Sequence, residues 1–158
     1  MTWTNGGTSA IETVNTVALA WAPTRKLGDG TWDWRVSSID AAGRVIAISP
    51  WRTFRVDATV PTVTATTPAS SARATVNATA TFSEPVRGVN TGTMKLFLTG
   101  RADPLSSVVT LSADKKKAFL NPAANLLVGR TYKVVLTSGI TDVARNQLVQ
   151  KEWSFTVS

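Results

Sequence analysis

One motif of this chain occurs twice, and the distance between the copies limits what the chain can fold into. Val36-Ser-Ser-Ile-Asp40-Ala-Ala-Gly-Arg44, followed by Trp51 and Phe54-Arg-Val56, returns as Thr137-Ser-Gly-Ile-Thr-Asp142-Val-Ala-Arg-Asn146, followed by Trp153-Ser-Phe155-Thr-Val157. In each copy an apolar strand runs into an Asp-initiated turn and then into a final strand with an aromatic residue and Val at i and i+2. A period of about 100 residues is far above that of a propeller blade or solenoid repeat, and it is the size of a two-sheet β-sandwich.

The rest of the sequence agrees with β structure. Helical periodicity is absent, Thr, Val, Ser and Ala dominate, and turn residues return about every ten positions, which predicts many short antiparallel strands. The clearest is Gly30 to Ile39, where Trp32, Trp34, Val36 and Ser38 alternate with Thr31, Asp33, Arg35 and Ser37. Its Trp-bearing pleat face is predicted to be core. Further strands are predicted at 16–21, 44–48, 53–56, 63–66, 74–82, 94–98, 108–111, 117–120, 131–137 and 153–157. The core is expected to include Trp34, Val36, Phe54 and Val56 in the first unit, with Trp21 and Trp32 beside them. In the second unit it is expected to draw on Phe82, Leu96, Leu98, Val109, Leu111, Tyr132, Val134, Leu136, Trp153 and Phe155.

The second repeat closes at the end of the chain, so its unit is expected to span residues 58–158, joined through Thr59-Val-Pro61-Thr. By the same measure residues 1–57 are expected to form only the closing half of a sandwich, with roughly 40 residues expected in front of them. An incomplete sandwich leaves Trp21, Trp32 and Trp34 partly uncovered and a strand edge open, so 1–57 is expected to pack on the second unit or to borrow strands from a partner.

Two resemblances follow from particular residues. Residues 27–57, with Leu27-Gly-Asp-Gly-Thr-Trp-Asp-Trp-Arg-Val36, Ser49-Pro-Trp51 and Thr53-Phe-Arg-Val-Asp57, resemble the last strands of bacterial fibronectin type III-like or Ig-like repeats. Residues 61–157 resemble the bacterial Ig-like domain of S-layer and other cell-surface proteins. The matching elements are Phe82-Ser-Glu-Pro-Val86, Ser112-Ala-Asp-Lys115, Asn121-Pro122, Leu127-Val-Gly-Arg-Thr-Tyr132, Ile140-Thr-Asp142, Asn146 and Trp153-Ser-Phe155. Where that family has Gly before the Asn of its turn, this chain has Arg145, which takes a left-handed conformation only at a cost, whereas Asn146 accepts one, so the turn type is left open. The resemblance implies an all-β chain of tandem sandwich units, the first incomplete, in an extracellular, secreted or surface-anchored bacterial protein. It implies a spacer or adhesion role without catalysis.

The composition narrows the chemistry. With no Cys, no His and ten carboxylates, the chain cannot assemble a Ser-His-Asp or Cys-His nucleophile system or a zinc site of imidazole or thiolate type. No pair of acids is placed by spacing for glycoside hydrolysis, Glu84 and Glu152 included. No enzyme activity and no cofactor are expected. No apolar run is long enough to span a membrane, so no membrane insertion is expected. The net charge is +7, and residues 58–158 carry an excess of six basic side chains against one in 1–57. The densest run, Lys115-Lys116-Lys117 after Asp114, reads as a solvated hairpin tip, with contact to an anionic surface as the other reading and no specific nucleic-acid binding.

Asp40 and Asp142 raise the question of calcium, which takes six to eight oxygens. Asp142 has only Asp57 and Glu84 as conceivable helpers, whereas an Asx-type turn needs one residue and explains both copies, so no metal is expected. Asp29 and Asp33 lie in a Gly-Asp-Gly-Thr-Trp-Asp stretch, where Gly30 more simply serves a tight turn. Five of the six Trp lie within the first 51 residues. Trp51 precedes Phe54 by three, so it falls off the core face and is expected to expose its ring, stacked by Arg35 with Arg44 or Arg55 nearby. Trp51, Arg35 and Trp3 are the candidate binding residues. The expected partners are other domains of the same polypeptide or neighbouring subunits, with a polysaccharide or anionic cell-wall polymer as a further possibility. The alternatives to a spacer are a glycan or cell-wall binding module and a component of a larger surface or virion assembly.

Overall fold

The computed structural model describes residues 2–5, 12–18, 20 and 22–158, and among these all regular structure is β. The chain divides into two units at Thr59/Val60.

In the first unit β1 (Thr2–Asn5), β2 (Glu12–Thr13), β3 (Gly30–Arg35) and β6 (Arg52–Val56) form one sheet in the order β2-β1-β3-β6, while β4 (Ser37–Ile39) and β5 (Val45–Ile48) form a separate two-stranded ribbon. The strand predicted over Gly30–Ile39 therefore breaks at Val36. There the chain leaves the large sheet: the Val36 N–H donates to Ser49 Oγ and the Ser49 N–H donates to the Val36 carbonyl, 3.0 and 2.8 Å. This corrects one core expectation, because Val36, at the sheet switch, is 42% exposed. Trp32 is buried instead, and its indole N–H donates to the Gly28 carbonyl at 2.9 Å, whereas Trp34, Phe54 and Val56 are half-buried. Among the described residues of this unit Trp32 is the one buried apolar side chain. Residues 16–18 and 20 of the strand predicted over 16–21 carry no regular structure, and the core expectation for Trp21 lies outside the described residues.

The second unit is a sandwich. One sheet orders β10 (Met94–Leu98), β13 (Thr131–Leu136), β14 (Lys151–Val157) and β8 (Ser71–Ala72), and the other orders β11 (Ser107–Leu111), β12 (Lys117–Pro122), β9 (Ala78–Phe82) and β7 (Val63–Thr67). All pairings are antiparallel except β14 with β8. Period-two alternation selects the inward set: Ala78, Ala80 and Phe82 are buried while Thr79 and Thr81 are not, and Tyr132, Val134 and Leu136 are buried while Lys133 and Val135 are half-exposed. The expected core residues of this unit all belong to the cluster, with Leu98, Val109, Leu111 and Trp153 at its half-buried margin. The strand predicted over 74–82 starts at Ala78, because Arg73–Val76 close a turn through a Val76 N–H to Arg73 carbonyl bond of 3.1 Å.

Both repeated turns have one geometry. The Asp40 N–H donates to the Arg44 carbonyl, 2.9 Å, and the Asp142 N–H to the Asn146 carbonyl, 3.1 Å. The residue before the last takes the left-handed conformation, Gly43 at φ 78° and Arg145 at φ 75°. The turn type left open between Arg145 and Asn146 is thus decided: the register of the loop is set by the Asp142–Asn146 bonds, so the strain falls on Arg145. A non-glycine residue there costs about 1 kcal/mol, and Arg145→Gly is expected to raise the stability of the second unit by about that amount, read as an increased urea midpoint with unchanged slope.

Candidate functional site

Arg35 and Trp51 meet. Arg35 ends β3 and Trp51 immediately precedes β6, so the β3–β6 pairing, with Trp34 opposite Arg52, brings the two together. The guanidinium carbon lies 4.6 Å from the centre of the Trp51 ring, and Trp51 is 45% exposed. A stack of this kind contributes about 1 kcal/mol and holds the indole in one orientation. Arg35 Nε is buried without a hydrogen-bond partner among the described residues. Trp3 belongs to β1 opposite Trp34, but its side chain lies outside the described residues. Arg44 is tied to Asp40 at 2.7 Å instead of joining the stack.

The aspartates act as loop ties. Asp40 Oδ1 accepts from the Ala42 and Arg44 N–H groups, both at 2.9 Å. Asp142 is fully buried, its Oδ1 accepting from the Asn146 N–H and its Oδ2 from Asn146 Nδ2, both at 2.8 Å. Glu84 brings a carboxylate oxygen within 4.8 Å of Asp142, yet both Asp142 oxygens already accept bonds that close the turn. Asp29 accepts from the Thr59 hydroxyl and the Ala58 N–H, fastening the end of the first unit to the loop before β3. Asp33 accepts from the Thr53 hydroxyl across the β3–β6 pair.

Three carboxyls of the chain are held below the ordinary aspartate value of 3.8: Asp29 chiefly by the Thr59 hydroxyl, Asp40 chiefly by the Arg44 N–H and then its guanidinium, and Asp114, in the β11–β12 turn, chiefly by the Ser112 hydroxyl. Their folded-state pKa lies below the unfolded one, so their contribution is full above about pH 4 and fades as pH falls through 3.8 and lower. Urea midpoints measured between neutral pH and pH 2.5 are expected to fall on acidification. Asp114 is the one of the three in the second unit, so Asp114→Asn is expected to flatten that dependence there.

Lys115 and Lys116 lie in the turn between β11 and β12, and Lys117 begins β12. Lys115 is left-handed, φ 59°, the Lys116 N–H donates to Asp114 at 3.1 Å, and Lys117 places its ammonium 5.6 Å from the Phe119 ring centre. All three are exposed at a hairpin tip. A different basic group was not visible in sequence. Arg73, Arg101 and Arg130 are single residues far apart in the chain, but the fold gathers their loops at one end of the second sandwich. The Leu126 N–H bonds the Ala74 carbonyl, the Val157 N–H the Arg130 carbonyl and the Thr99 N–H the Thr131 carbonyl, at 2.9, 3.0 and 3.0 Å. No charge run announces them; only the strand order does.

With the architecture in view, comparison with known proteins gives the family. The family model described as the bacterial Ig-like domain matches residues 57–157. Domains 1–6 of the surface layer protein SbsC share 25% identity at a TM-score of 0.51, covering 63% of this chain and 14% of that one. The N-terminal part of SbsC, a bacterial S-layer protein, shares 26% identity at 0.51, covering 64% and 24%. This chain thus spans a small part of the length of those relatives. PcoC, a methionine-rich copper resistance protein from Escherichia coli, aligns over 62% of this chain and 98% of its own at 24% identity and a TM-score of 0.51, a likeness of fold alone. This chain has two Met, of which Met94 is fully buried in the core. No curated protein sequence matches the chain. Two four-stranded sheets closed over one core, and the family match over 57–157, make this chain a member of the bacterial Ig-like domain family.

Proposed function

We propose that the chain is a non-catalytic spacer or adhesion module of a larger bacterial cell-surface protein. The observation that carries this reading is how the second unit uses its side chains. Sixteen of its buried side chains form one apolar cluster, and its buried carboxylate, Asp142, is engaged in closing a turn. An extracellular setting is supported by the S-layer likeness. A spacer of this kind is expected to show no retention on polysaccharide or isolated cell wall beyond its charge-driven, salt-sensitive background.

The exposed Trp51 ring, held by Arg35, favours one second reading, a glycan-binding accessory module. A glycan array and cell-wall pull-down at high salt separate the two. No salt-resistant retention supports the spacer. Salt-resistant retention that Trp51→Ala abolishes overturns it in favour of the glycan reading.

A further inference from the structure

We propose that the arginine-bearing end of the second unit docks on an anionic phospholipid surface. Three loops form this end: residues 73–76 after β8, 99–106 between β10 and β11, and 123–130 between β12 and β13. They are joined by the backbone bonds already described and by Gly129 N–H to the Val157 carbonyl at 2.8 Å. Each contributes one exposed arginine, Arg73, Arg101 or Arg130, and the three loops together hold one carboxylate, Asp103. None of the three arginines forms an ion pair among the described residues.

Two properties select the partner. First, every basic residue of these loops is Arg, while the lysines of the unit stand elsewhere, at 95, 115–117, 133 and 151. The guanidinium fork matches phosphate oxygens in pairs, which an ammonium does not. Second, Leu127 and Val128 stand at the tip of this cationic end, 61% and 70% exposed. A cavity of about 220 Å³, lined mainly by Leu98, Leu105, Pro122, Leu126, Leu127 and Tyr132, opens beside them. A soluble polyanion would engage the arginines and leave that apolar tip in water. A phospholipid surface takes both, phosphates on the arginines and the Leu127–Val128 tip among the headgroups.

The test is co-sedimentation of the full chain with vesicles of phosphatidylcholine alone or with phosphatidylglycerol added. Binding is expected only to the anionic vesicles. It is expected to weaken about a hundredfold when Arg73, Arg101 and Arg130 are all replaced by Ala, and measurably with Arg130→Glu alone. Leu127→Ser with Val128→Ser is expected to leave a residual attachment that about 1 M salt removes completely, whereas the unaltered chain keeps part of its binding there. Far-UV circular dichroism and urea midpoints show that the variants are folded. Absence of binding to anionic vesicles, or binding that the arginine variants leave unchanged, overturns the proposal. So does binding that inorganic polyphosphate competes away fully and that the Ser substitutions do not alter, which would mark a soluble-phosphate site.

Discussion

Phe155→Ala is expected to cost the second unit about 3 to 5 kcal/mol, a large fraction of the stability of a domain this size. Phe155 lies on β14, the central strand between β13 and β8, and is 2% exposed. Its ring stacks on Tyr132 with centroids 5.9 Å apart. Tyr132 in turn accepts the Leu127 N–H on its hydroxyl at 2.8 Å, so the ring pair joins the sheet to the loop that precedes β13. Removing the ring loses its transfer free energy and leaves a cavity walled by β-strands that cannot collapse into it. Urea unfolding of the variant measures the loss. Trp153, two residues earlier on the same pleat face, is half-buried and its buried indole nitrogen has no acceptor among the described residues, so its truncation is expected to cost less than that of Phe155.

Asp142→Ala is the second large effect, about 2 to 4 kcal/mol. The carboxylate is fully buried and satisfies two donors of Asn146, its backbone N–H and its amide. Alanine removes the acceptor of both bonds at a half-buried position, and losing such an acceptor costs about 1 to 3 kcal/mol per donor. It also removes the bonds that force Arg145 into the left-handed conformation, so part of the loss is offset by relief there. The two positions share one turn, and a double-mutant cycle of Asp142→Ala with Arg145→Gly is expected to show coupling: Arg145→Gly should stabilise the Asp142→Ala background less than it stabilises the unaltered chain. The equivalent Asp40 is half-buried, whereas Asp142 is fully buried, and it accepts from the Ala42 and Arg44 N–H groups within reach of water, so its replacement is expected to matter less.

How far sequence reached differs between residues for physical reasons. The sandwich was legible because β12 and β13 alternate buried and outward residues with period two, and because the Asp turns repeat with their strands. The Trp51–Arg35 stack was legible because both residues fall off the core face of adjacent strands. The break at Val36 was not, since alternation continues through it and only the Ser49 bonds show that the chain changes sheets. β8 escaped because two residues in parallel pairing carry no pattern. The left-handed Arg145 escaped because residue preference favours Asn there while the Asp142 ties decide the register. The convergence of Arg73, Arg101 and Arg130 depends on strand order, which no local pattern encodes.

Residues 60–158 are expected to form a sandwich that folds without residues 1–59, and separate expression of residues 60–158 and 1–59 tests this most directly. The second unit buries sixteen apolar residues in one cluster, whereas among the described residues the first buries Trp32. The 60–158 fragment is therefore expected to give a dispersed amide NMR spectrum and a cooperative urea transition close to that of the same unit in the full chain. The 1–59 fragment is expected to show poor dispersion and no cooperative transition. A non-cooperative 60–158 fragment, or a stably folded monomeric 1–59, would contradict it.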